Sequence, residues 1–158
     1  MPSPIRINGL EHENPAAYKV TVHEISPGVV HKDANVTVTA FLVKHATWDQ
    51  AFGYRFETGG HSIVISGDTA PTPAIAEACH GCDVLVHEVY CNQLGGAYYK
   101  AAHTSAAELA EIAGQAKPKL LVLYHELFGG GCTEASLLQQ VQEKYAGAVV
   151  SAKDLDVY

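Results

Sequence analysis

Six side chains able to bind a metal or move a proton stand where apolar segments of the sequence stop. His45 comes two residues after the run Val36–Val43, and Asp68 follows Ile63-Val64-Ile65-Ser66-Gly67. His87 closes Val84-Leu85-Val86 and is followed by Glu88, while His125 closes Leu120-Leu121-Val122-Leu123-Tyr124. His103 stands just before a helical pattern that begins at Thr104. Strand ends that open onto loops are where α/β folds place ligands and catalysts, and strands lying side by side in one sense bring such ends to one rim. Imidazole nitrogen and carboxylate oxygen are donors that zinc accepts in tetrahedral or five-coordinate sites. A single histidine at a strand end is usually no more than a hydrogen-bonded side chain. Four strands that each stop at a His or an Asp, with Gly67 allowing close backbone approach beside Asp68, call for a shared cause.

The elements that would position these residues follow from periodicity. Tyr18 to Ile25 reads as a strand, broken by Ser26-Pro27-Gly28. Val36 to Val43 is β-branched and aromatic-rich, a second strand. Ala51 to Glu57 and Ser62 to Ser66 flank Thr58-Gly59-Gly60 and predict a hairpin with a short turn. Pro73 to Ala78 predicts a brief helix, Asp83 to His87 a buried strand, and Lys119 to Tyr124 another. Helical spacing recurs over Thr104 to Gln115, with Thr104 or Ser105 as N-cap, and over Thr133 to Tyr145. Ala148 to Val150 gives a last short strand. Strands come first and then alternate with helices, which predicts an α/β chain with a sheet covered by helices on at least one side.

Composition narrows the functions. The 158 residues suffice for one core, with 47% hydrophobic and 17% charged residues. A formal charge of -7 and no Lys/Arg run argue against gripping nucleic acid non-specifically through its phosphates. No apolar stretch is long enough to span a bilayer, and the N-terminus shows no secretory pattern, so a cytoplasmic protein without membrane contact is expected. Cys79-His80-Gly81-Cys82 lacks the second ligand pair of a zinc knuckle and the helix-start setting of a thioredoxin-like site. Together with Cys91 and Cys132, these are expected to be structural thiols in a reducing compartment. His12, His23, His31, His61 and His80 are expected to be solvated.

Five segments then acquire a shared meaning: His45 with Phe52-Gly53-Tyr54-Arg55-Phe56, Ser66-Gly67-Asp68-Thr69, Val86-His87-Glu88, His103-Thr104-Ser105, and Leu121-Val122-Leu123-Tyr124-His125. In this order they resemble the ribonuclease Z and arylsulfatase-like branch of the metallo-β-lactamase superfamily, from about Tyr18 onward. The resemblance implies an αββα sandwich with a dinuclear zinc site on its rim. It makes His45 a ligand of one zinc, His125 a ligand of the other, and Asp68 the carboxylate between them. A shared anion lowers the repulsion of two close cations, and the pair activates a water that attacks a phosphodiester or related ester. Glu88 would orient His103, and His103 would protonate the leaving oxygen or steady the charged transition state. His87, Thr69 and Arg55 would lie behind these groups, with Arg55 bracing the carboxylate side of the sheet.

The family's H-x-H-x-D-H motif does not occur in the sequence. Residues 1–158 are therefore expected to be the C-terminal portion of one such domain, half a sandwich with helices on one face of a mixed sheet, whose metal site is incomplete. Half a sandwich leaves apolar strand faces to cover, which predicts a homo-oligomer or a partner. The segment between Phe56 and Ile63 is too short for the arm with which ribonuclease Z clamps tRNA. A small phosphodiester or sulfate ester is accordingly expected as substrate, and tRNA is disfavoured. A non-catalytic module that has lost its metal site is the competing expectation.

Overall fold

In the computed structural model, which describes residues 21–158, the β-branched and aromatic runs pair into one sheet of seven strands in sequence order. These are β1 (Gly28–Lys32), β2 (Thr37–His45), β3 (Trp48–Thr58), β4 (His61–Ile65), β5 (Val84–Tyr90), β6 (Leu120–Leu127) and β7 (Val149–Ser151). Strands β1 to β4 form an antiparallel meander, whereas β4 to β7 are parallel. Parallel neighbours need crossovers, and helices supply them: α1 (Pro73–Cys79), α2 (Ala97–Ala102) with α3 (Ala106–Ala116), and α4 (Glu134–Gln142).

This topology decides where the chemistry can meet. Both β2 and β4 are antiparallel to β3, so they run in the same sense, and β5 and β6 follow β4 in that sense. The chain therefore leaves β2, β4, β5 and β6 at one edge of the sheet. The β3–β4 connection stays at the far edge, a two-residue turn in which Gly59 and Gly60 take φ values of 54° and 85° between paired Thr58 and His61. Both central residues of such a turn need positive φ, which glycine adopts without a Cβ penalty.

The helices are stopped and started by their own sequences. Ser105 and Glu108 form a capping box at α3, and Thr133 caps α4 through Ser136. Leu109, Ala110 and Ala113 of α3, Leu137 and Val141 of α4, and Ile75 of α1 pack against Val64, Leu85, Val89, Leu121 and Leu123. Each fully buried leucine stabilises by about 1.5–3 kcal/mol. The helices cover one face of the sheet. On the other face Tyr54, Phe56, Ile63, Ile65, Val84, Val86 and Tyr124 are half-buried.

Several expectations change. The strand expected over 18–25 lies in part outside the described residues, and its described part, 21–25, is not a strand. β1 begins instead at Gly28, the residue taken for the end of a breaker; it is a short, largely exposed edge strand with no alternation to betray it. β5 runs on to Tyr90 and β6 to Leu127, so His87 and His125 lie within strands. Helix α2 was not expected; it spans six residues and has no side-chain N-cap.

The free-thiol expectation is overturned: Cys79 pairs with Cys82, and Cys91 with Cys132. His80 in the left-handed region and Gly81 at φ 80° turn the chain between α1 and β5, which places the Cα atoms of Cys79 and Cys82 4.8 Å apart. Both of these sulfurs' residues are buried. No helix among the described residues is long and apolar enough to cross a membrane.

His87 is enclosed on the helix side of β5, the side shared by Leu85. Its Nδ1 donates to the Glu88 carbonyl at 2.6 Å, and its Nε2 has no partner. Burial draws its pKa down to about 4. Between about pH 4 and 6.5 the unfolded chain thus holds more protons on this ring than the folded one, and stability falls as pH is lowered through that window. Replacing His87→Leu should reduce the acid loss, read as the change in urea midpoint between about pH 7 and about pH 4. Equal acid losses in the two proteins would exclude His87 as their source.

Candidate metal centre

His45 ends β2, and the chain turns at once through Ala46, a non-glycine residue at φ 49° whose N–H donates to the Ala101 carbonyl at 2.9 Å. Asp68 follows β4 after Gly67, and His103 joins α2 to α3. His125 sits in β6 at φ 43°. It is the extra residue of a β-bulge: Glu88 pairs with Tyr124 and Val89 with Glu126, which leaves His125 opposite no residue. A bulge re-aims a side chain.

These four side chains meet at the rim. One ligand atom each from His45, Asp68 and His103 lies within 4.8 Å of the others. His125 Nε2 is 3.5 Å from Asp68 Oδ2. The rings of His45 and His103 are 5.2 Å apart between centroids, and those of His103 and His125 are 5.8 Å apart.

Gly67 is the backbone's concession to this approach. Its φ is 62°, and a Cβ built on it would stand 2.6 Å from the Phe52 carbonyl oxygen of β3. Only a residue without a side chain lets the chain turn Asp68 toward the rim at that point.

Behind the rim lies a buried polar network centred on Glu88. Its Oε1 accepts from the Thr69 N–H at 3.0 Å, the Thr104 N–H at 3.2 Å and His103 Nδ1 at 3.2 Å. Thr69 Oγ1 accepts from the Lys44 N–H at 3.2 Å and donates to the Ala70 carbonyl, and Thr104 Oγ1 donates to the Thr69 carbonyl at 2.7 Å. The neighbours of His45, Asp68 and His103 are thus tied together. Glu88 is fully buried and its Oε2 has no partner. Burial pushes its pKa up to about 8 against the two backbone donors, which lower it, and the nearby Asp68 charge adds to the rise.

Hydrogen bonding also settles which ring nitrogens are available. His45 Nδ1 lies 2.8 Å from the Ala102 carbonyl, and a carbonyl only accepts, so Nδ1 carries the proton. His103 Nδ1 faces Glu88 Oε1, an oxygen already accepting from two backbone N–H groups, so there too Nδ1 is the donor. The Nε2 atoms of both rings are left with free lone pairs. A ligand histidine whose other nitrogen donates to a carbonyl or carboxylate is the arrangement that zinc sites use to orient their imidazoles. Burial also lowers the pKa of His103, which favours the neutral form that can ligate or accept a proton. Two imidazoles and a carboxylate, with a third imidazole beside the carboxylate, fit a zinc ion by donor chemistry.

The structure brings together His45, Asp68, His103 and His125, with Glu88 and Thr69 directly behind them. Two residues expected in support fall elsewhere. Arg55 donates to the Ala78 and Cys79 carbonyls at 2.7 and 3.1 Å and pairs with Glu57, so it closes the C-terminal end of α1. His87 faces the helix-side core, because successive residues of a strand alternate faces and Glu88 occupies the other. Sequence reasoning missed Thr104 as a tie to Glu88, the grouping of His103 with the ligand atoms, and α2 with Tyr98 and Tyr99. The Tyr98 and Tyr99 rings lie 5.9 and 6.2 Å from that of His103. His23, His31, His61 and His80 are exposed as expected, and His12 lies outside the described residues.

Residues 5–125 match the β-lactamase superfamily domain. The chain is 36% identical over 96 residues to ribonuclease Z of Myxococcus xanthus, a match covering 60% of this chain and 31% of that protein. It is 30% identical over 113 residues to ribonuclease Z of Mycobacterium tuberculosis, with 67% of this chain and 41% of that protein covered. Among solved structures it superposes on the metallo-β-lactamase fold protein YhfI of Bacillus subtilis with a TM-score of 0.66 at 22% identity, over 78% of this chain and 49% of that one. Human tRNase Z, short form, gives a TM-score of 0.51 at 26% identity, over 63% of this chain and 39% of that one. The chain spans less than half the length of these relatives.

Gly67 offers a test of the rim that needs no ligand. Gly67→Ala meets both the left-handed φ and the Phe52 carbonyl, and should destabilise the fold by about 1–3 kcal/mol. A denaturation midpoint unchanged from that of the parent would show that the turn before Asp68 is not constrained in this way.

Proposed function

Because the chain belongs to the metallo-β-lactamase superfamily, in its ribonuclease Z branch, we propose that it forms the His45–Asp68–His103–His125 side of a zinc-dependent hydrolase centre that cuts phosphodiesters. The observation that carries the reading is the meeting of the Asp68 carboxylate with imidazole nitrogens whose opposite ring atoms are already held by protein oxygens. Zinc bound there supplies an acidified water and a Lewis acid toward the ester oxygen.

The chain's own residues divide the remaining work. His45, Asp68 and His125 would hold metal, with Asp68 the one anion among them to offset cationic charge. His103 is the residue suited to move a proton. Its Nε2 is free while Nδ1–H is fixed by Glu88 Oε1, so a proton taken up at Nε2 gives an imidazolium beside the Asp68 carboxylate. Such a group passes the proton to a leaving oxygen without having to reorient. Glu88 acts as positioning residue for His103 and, through Thr69 and Thr104, for the backbone on either side.

The names of the relatives favour a phosphodiester of RNA, and they give no support to the expected preference for a small ester or a sulfate ester. Precursor tRNA is a second reading on that ground, set against the two-residue β3–β4 turn where no arm extends. A non-catalytic role is a third, motivated by the 31% to 41% of the curated relatives that the chain spans.

Zinc uptake by equilibrium dialysis, followed by hydrolysis of bis-p-nitrophenyl phosphate, tests the proposal. Asp68→Ala should weaken zinc binding by at least about tenfold and abolish any hydrolysis. Zinc affinity identical in parent and variant would end the metal-centre reading.

A further inference from the structure

Among the described residues, four aromatic side chains are largely exposed: Trp48, Tyr98, Phe128 and Tyr158. Three of the four flank the candidate centre, one beside each of its histidines. Trp48 is the register partner of His45 across the β2–β3 turn and is 70% exposed. Residues directly opposite in an antiparallel pair project to the same face with Cβ atoms about 5 Å apart. Tyr98 of α2 is 62% exposed, with its ring 5.9 Å from that of His103. Phe128 follows β6 and is 48% exposed; with Tyr124 and His125 it lines a cavity of about 400 Å³. Isolated exposed apolar residues are ordinary, but a ring of them around polar chemistry marks a ligand surface.

The charges around the ring restrict what it can hold. The cavity beyond His125 also carries Glu126, Glu134 and Asp154, and the one basic group paired there is Lys153, 3.6 Å from Glu134. A ligand whose affinity came from a long row of phosphates would meet these carboxylates. A ligand held chiefly by flat rings needs fewer phosphate contacts, since base–aromatic stacking tolerates any base and itself involves no phosphate.

We propose that Trp48, Tyr98 and Phe128 form a stacking rim that holds the nucleobases on either side of the scissile phosphodiester, so that the substrate is a short or unpaired nucleotide segment bound through its bases. This deepens the hydrolase reading and rests on it for the word scissile. Binding itself is a property of these three side chains and can be read without metal or turnover.

Trp48 is the chain's single tryptophan, so its fluorescence reports on the rim alone. The probes are uridylyl-adenosine, ribose 5-phosphate and phenyl phosphate, titrated into the full chain. The dinucleotide should quench Trp48 saturably and ribose 5-phosphate should not. Tyr98→Ala and Phe128→Ala, both exposed and checked for unchanged circular dichroism, should each raise the dinucleotide Kd at least about threefold. Raising salt from about 50 to about 200 mM should change Kd less than about twofold, where a phosphate-tracking protein loses orders of magnitude. Quenching by ribose 5-phosphate equal to that by the dinucleotide, an unchanged Kd in both variants, or a steep salt dependence would overturn the rim. Tighter binding of phenyl phosphate than of the dinucleotide would overturn the assignment to nucleobases. Base-dependent quenching in a chain that binds no zinc would instead sink the hydrolase reading and leave the rim standing.

Discussion

A single buried carboxylate oxygen, Oε1 of Glu88, holds the rim in place. It receives donors from Thr69, Thr104 and His103, which belong to two chain segments that the sequence keeps about 35 residues apart. An ionisable group taken out of water is costly unless it is hydrogen-bonded, and an unmade bond in such a setting costs more than the made one contributes. The network is therefore all or nothing. With it formed, the backbone beside His45, Asp68 and His103 has one arrangement; with a member removed, the others are left buried and unsatisfied. The charge state of Glu88 is the sensitive quantity, because the desolvation that raises its pKa opposes the backbone donors that lower it.

Topology and backbone conformation then do what hydrogen bonds alone cannot. The switch from antiparallel to parallel pairing at β4 brings four strand exits to one edge. Near three of those exits the chain enters the left-handed region: at Ala46 after β2, at Gly67 after β4, and at the His125 bulge within β6. Two of these residues carry a Cβ and bear the associated strain, of order 1–3 kcal/mol each. Strain of that size persists where surrounding structure over-determines it, and the bulge at His125 and the Ala46 bond to Ala101 are such surroundings.

Much of this was legible in the residues. The strands from Val36 onward, the short glycine turn and the two capped helices all follow from local patterns, because alternation, turn chemistry and capping are local physics. Interrupted apolar runs singled out His45, Asp68, His87 and His125, and the family resemblance narrowed these to His45, Asp68 and His125. Long-range consequences were not legible. Whether His87 or Glu88 faces the rim depends on the register of β5 against its neighbours, which no local pattern contains. Helix α2 lacks a capping side chain and follows two glycines, so propensity alone does not announce it. Arg55 looked like support for the site because it shares a motif with Gly53 and Tyr54, yet strand β3 carries it to the end of α1. The cysteines were misjudged for a similar reason: Cys91 and Cys132 are 41 positions apart, and only the folded packing of β5 beside β6 brings them together.

That second disulfide has a topological meaning for the rim. Cys91 and Cys132 close a covalent loop that contains both His103 and His125. In the chain-entropy account, a closure of this length restricts the unfolded ensemble by about 4 kcal/mol. The restriction has an address as well as a size. Even when the sheet has melted, these two imidazoles remain on one tethered ring, at a raised concentration relative to each other. An ion arriving during folding would therefore find this pair half gathered, whereas His45 and Asp68 must still be recruited from the rest of the chain.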